Sequence, residues 1–289
     1  MDAGLWVIPT LVVRVLLYAC VAGAMGGCLS SVLLTQHREL SLSIIRYTQG
    51  ACVLGVVLTL ASVSIQAGAL AEAGMAGLFN ASILSVLMRS AVGTAMMLQL
   101  AGFLLIGTSR LGLNRYAIPS NLLAVGGSLL VAASFAQTGH MAEKGLVGQI
   151  AVTLHVGAMG LWLGSLYPLW LAARSKDTEA TSLAMTRFGE WAVFIVAALL
   201  ICGITMATLM LGDWHKLFTT AYGKGLLVKF GLVTGLLALA AGNKWLTVPR
   251  LAEKGFTVRL AHTIVFEMLL GSAVLITTAI VILVIGSEA

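Results

Sequence analysis

TGHMAEKGLVGQIAVTLHVGAMGLWLGSLYPLW, residues 138–170, opens as a polar tract and then runs into a predominantly apolar stretch reaching to about residue 173. A helix this apolar on all its faces is stable only where lipid or other protein surrounds it. About 20 such residues in a row are enough to cross a bilayer. Within the run stands a single imidazole, His155, and the polar tract before it carries another, His140.

Runs of the same kind recur on both sides. The 289 residues are 59% hydrophobic and 10% charged, more apolar surface than a soluble domain of this length can bury. Eight apolar runs are expected as helices, at 9 to 34, 47 to 70, 84 to 107, 117 to 136, 146 to 173, 188 to 212, 224 to 244 and 261 to 286. The expected fold is all-α: a polytopic membrane bundle of eight transmembrane helices, with residues 1–289 forming one integral domain. The first run is long for a signal peptide and has no basic residue before Arg14, so it is expected to stay as helix one. Connections of about ten to eighteen residues leave no room for a folded soluble domain. The four cysteines, Cys20, Cys28, Cys52 and Cys202, fall in the runs without a CxxC pair; neither a disulfide framework nor a structural zinc site is indicated.

The net charge of +6 reads as membrane topology rather than as nucleic-acid binding. With helix one starting outside, eleven cations fall in inner loops, Arg110 and Arg115 among them, against Lys144, Lys216 and Lys224 in outer loops. The positive-inside rule then places both termini in the periplasm. Arg14, Arg89 and Lys229, near outer helix ends, are expected to snorkel.

The candidate ligands cluster on the outer side. His140 falls in an outer loop and His155 nine residues into helix five, about 13 Å deep at 1.5 Å per residue. His155 and Met159 are four residues apart, so they share a helix face. On helix six, Cys202, Met206 and Met210 form two successive steps of four, with Asp213 and His215 just beyond. Sulfur and imidazole together suit Cu(I), or Cu(II) at the imidazoles, and offer little to magnesium or calcium. Methionine also fills apolar cores, so the sulfur stripe alone has a packing explanation. His155 stands apart from it, because an ionisable group at membrane depth is costly. Glu267 is expected six residues into helix eight, either paired with Arg259 or another cation, hydrogen-bonded to a neighbouring helix, or coupled to protons. His37 and His262, at inner helix ends, are expected as ordinary interfacial residues. There is no GxxxxGK[ST] loop and no catalytic domain, which points to a protein that is not an enzyme and is driven by gradients. The alternative reading is a b-type haem electron carrier with histidine axial ligands, and a blander one is a sensor or scaffold.

The Gly139–His140 pair, His155 followed by WLGSLYPL, CGITMA on helix six, YGKGLLVKFGL from Tyr222, Asn243, Pro249 and VRLAHTIVFEMLLG with Glu267 together resemble the copper resistance protein D (CopD) family. The likeness is strongest over about 120–285. Met141 and Ser165 depart from the family pattern and leave both histidines in place. The resemblance implies a multi-pass bacterial inner-membrane protein that handles copper with a periplasmic carrier of the CopC type and moves it toward the cytoplasm. It also carries His140 and His155 over as site residues and Glu267 as a matched acidic position.

Overall fold

The computed structural model describes residues 3–109 and 117–285, and their regular elements are all helical. Lipid dictates this outcome, since every backbone N–H and C=O in the hydrocarbon layer must be satisfied within the segment. The helices are α1 (Ala3–Leu33), α2 (Ser41–Ala71), α3 (Ala81–Met88), α4 (Ala91–Ser109), α5 (Ala117–Ser134), α6 (His140–Glu143), α7 (Gly145–Ala173), α8 (Thr178–Leu211), α9 (Lys216–Thr219), α10 (Ala221–Gly242) and α11 (Phe256–Ile280). Among the described residues, seven are long and apolar enough to cross a membrane. The run expected at 117–136 is the shorter one, with an apolar helix at Ser120–Ser134. Arg110 and Arg115, two of the cations behind the expected orientation, lie outside the described residues.

Local chemistry sets the helix starts. The side chains of Asp177 and Thr220 accept hydrogen bonds from Ala180 N (2.9 Å) and Gly223 N (3.0 Å), capping α8 and α10. The third run, expected as one helix over 84 to 107, is broken instead between α3 and α4. The chain turns at Arg89 and Ser90, where the Ser90 hydroxyl accepts from Val92 N at 3.1 Å. Gly93 presses on the Met88 backbone, where a Cβ has no room. A serine cap in an apolar run thus starts a new helix.

Helix α1 is central, packed against α2 and α7 and also touching α4, α5 and α11. It crosses α7 at Gly26 and Gly164, where a Cβ on either would overlap backbone of the other helix. Small residues allow this approach, which dispersion rewards in the absence of a hydrophobic drive. Pro168 lies inside α7 and has no N–H for the carbonyl four residues back, that of Gly164. The Tyr47 hydroxyl of α2 donates to that carbonyl at 3.0 Å. Ser165, where the family pattern favours glycine, is fully buried and donates to Leu161 O at 2.7 Å and Gly26 O at 3.3 Å. A further cross-helix link joins Thr59 of α2 to Gln99 of α4 at 3.1 Å.

The packed interior has one large apolar cluster toward the His140 end and another toward the opposite end, around Leu34, Leu166 and Leu260. Helices α8 and α10 form the rim. Only 17% and 11% of their apolar windows are buried, against 33–39% for the other five spans, and Phe194, Ile201 and Ile204 of α8 face outward.

Candidate metal centre

Ten residues into α7, the ring of His155 turns toward α8. Its Nδ1 lies 3.2 Å from the carbonyl oxygen of Leu199. A carbonyl can only accept, so Nδ1 carries the proton and Nε2 keeps its lone pair. Gly203, one turn along α8, faces the ring, and a Cβ there would stand 3.4 Å from Cε1. The glycine of CGITMA thus faces the imidazole across the α7–α8 contact, where an added Cβ would make an ordinary van der Waals contact. Fixing Nδ1 on a backbone carbonyl is a common way to orient a metal-binding histidine.

The sulfurs are partly brought together. Met159, Met206 and Met210 pack against one cluster, whose buried members include Cys20, Met25, Cys28 and Cys52. Cys202 is buried but is not a member of that cluster. The Met25 thioether leans on α7 at Gly160, next to Met159. Sequence spacing alone could not show that α1 and α2 bring sulfur to the same apolar cluster, because it orders residues on one helix and not across helices.

Lys229 of α10 stands within electrostatic reach of His155. The Lys229 side chain is half-buried. His140 is exposed at the start of α6, after Gly139, whose φ of +80° favours glycine. His215 and His262 are exposed as well. Among the described residues, no three His, Cys, Asp or Glu side chains converge on a metal position.

Glu267 sits deeper than expected, because α11 begins at Phe256 and puts it about 17 Å along the helix. The alternative of pairing with Arg259 is replaced by that of bonding a neighbouring helix. Asn243 Nδ2 donates to Glu267 Oε1 at 2.7 Å, and Thr263 Oγ1 donates to Asn243 Oδ1 at 2.6 Å. Arg259 lies over the Phe256 ring instead, 5.9 Å from its centroid. Asn243 opens a π-helical turn, Asn243–Thr247, a distortion frequent at functional sites. At the same end, His37 is 1% exposed. Glu39 beside it is held below the usual carboxylate range by its own backbone N–H and then by the His37 ring.

The family model described as "Copper resistance protein D-like, N-terminal domain" matches residues 2–149, and that described as "Copper resistance protein D" matches residues 182–281. The chain belongs to the copper resistance protein D family. His140 falls in the first matched stretch of this CopD-family chain, and Cys202, Met206, Met210 and Glu267 in the second. His155 and Met159 lie on the α7 segment between them. The chain is 34% identical over 158 residues to the "Copper transport protein CutJ" of Bacillus subtilis, covering 53% of this chain and 28% of that one. It therefore spans less than a third of that relative. It is also 27% identical over 230 residues to the "Inner membrane protein YebZ" of Escherichia coli, covering 76% of this chain and 77% of the other. No solved structure matches.

Proposed function

We propose that this multi-pass inner-membrane protein is a copper permease that passes copper from periplasm toward cytoplasm by ligand exchange. The observation that carries the proposal is the posture of His155. Its Nδ1 is engaged by Leu199 O, which leaves Nε2 to a soft cation, with Met159 one turn along α7 and Met206 and Met210 on the same apolar cluster. The family and the printed name of the Bacillus relative point to copper as the cargo. His140 receives the ion at the mouth, His155 takes it, and the thioethers with Cys202 relay it. Donors of this kind suit Cu(I), and several weak sites permit release.

In this reading α5 is the eighth span, both termini and His140 face the periplasm, and residues 1–289 act as one unit, since α1 packs on α7 and α11 across the two matched stretches. A carrier of the CopC type delivers the ion. The membrane potential contributes about 2.3 kcal/mol per charge per 100 mV to inward movement. Glu267, bonded to Asn243, is the group proposed for proton coupling. The test is copper bound to purified protein together with cellular copper accumulation. His155→Ala with His140→Ala is expected to lose the copper held at these two outer ligands and to abolish accumulation, and unchanged accumulation in a folded double variant would overturn the reading.

A further inference from the structure

Buried polar side chains are almost always hydrogen-bonded, so each exception calls for an explanation. Among the described residues three buried side-chain N or O atoms have no partner: Trp6 Nε1, Ser30 Oγ and His37 Nε2. The last two lie at the same end of α1, seven residues apart and remote from His155.

The side chain of His37 is 0% exposed, and its Nδ1 lies 3.2 Å from Glu39 Oε1. The carboxylate accepts, so Nδ1 donates and the buried Nε2 holds a lone pair toward the interior. A carboxylate behind one ring nitrogen fixes the tautomer and direction of an imidazole whose other nitrogen binds a metal. The flanking Leu34 and Leu40 belong to or pack on a cluster that includes buried Met185 of α8. Imidazole and thioether are a donor pair for Cu(I).

We propose that His37 is a second copper ligand, at the end of the protein opposite His155: Nε2 binds Cu(I), Glu39 orients the ring and Met185 supplies the soft partner. This rests on the permease reading, for which it provides the exit site. Ligand exchange here changes no oxidation state. The ion arrives as Cu(I) and leaves as Cu(I).

The test titrates purified full-length protein in detergent with Cu(I) against a competing chelator, in a His155→Ala background that removes the first site. Copper is expected to remain bound in that background, and His37→Phe is expected to abolish it. Glu39→Gln, at an exposed residue whose change leaves the core intact, is expected to weaken binding by about 10- to 100-fold with an unchanged melting temperature. X-ray absorption of His155→Ala should show one nitrogen and one sulfur neighbour to copper. If His155→Ala alone removes all copper, or if the remaining copper is indifferent to both His37→Phe and Glu39→Gln, the exit site is overturned and the permease reading stands. If folded wild-type protein binds no copper, both fail. Should His37→Phe fail to fold, Glu39→Gln decides.

Discussion

An ammonium group near a metal-binding imidazole opposes the metal. Lys229 stands within electrostatic reach of His155, the proposed ligand, and a like charge at about 4 Å costs about 1–4 kcal/mol between watery and protein-like dielectric. For a storage site that would be a defect, whereas a site that must hand its ion on gains a faster release. Lys229→Met is therefore expected to tighten Cu(I) binding at His155 by about 10-fold or more and to slow copper movement in vesicles. Unchanged affinity by chelator competition would separate Lys229 from the site. The apolar run around His155 made its cost, and hence its interest, legible from sequence. Its partners Leu199 O, Gly203 and Lys229 were not, because helix-to-helix register decides them. The burial of His37 was hidden for the same reason: it stands in a short connection after a helix end, and packing alone decides how much of it is covered.

At the level of the element, α7 combines a proline, a backbone crossing and the histidine in one helix. Pro168 frees the Gly164 carbonyl, and the Tyr47 hydroxyl takes it at 3.0 Å. In hydrocarbon no water replaces a lost donor, so Tyr47→Phe is expected to destabilise the protein by about 1–3 kcal/mol. Thermal unfolding in detergent measures this, with copper affinity at His155 retained. An unaltered melting temperature would show the carbonyl finding another donor. The sequence displayed Pro168 and the apolar length of the run, while Tyr47 is over a hundred residues away in the chain. The split between α3 and α4 was likewise hidden by hydropathy. Ser90 as a cap and Gly93 against Met88 are local signals that a run count passes over.

Across the whole molecule, the alternation of apolar run and short loop recovers the helical class, and charge bias predicts an orientation. That bias predicts reporter fusions at both termini active on the periplasmic side, and a fusion near Ser175 active in the cytoplasm. The opposite pattern would invert the direction of every step proposed here. Helix α8 has 34 residues, about 51 Å of rod against a hydrocarbon layer of about 30 Å, longer than an upright crossing requires. On this rod the Leu199 carbonyl holds the His155 ring, and the Gly189 carbonyl, ten residues earlier, accepts from Lys244 Nζ at 2.7 Å in the π-helical turn. A rod cannot slide at one point only. Any axial shift of α8 that lets go of the imidazole also tugs the Lys244 tether, so grip near one face of the membrane and slack near the other are set by the same displacement.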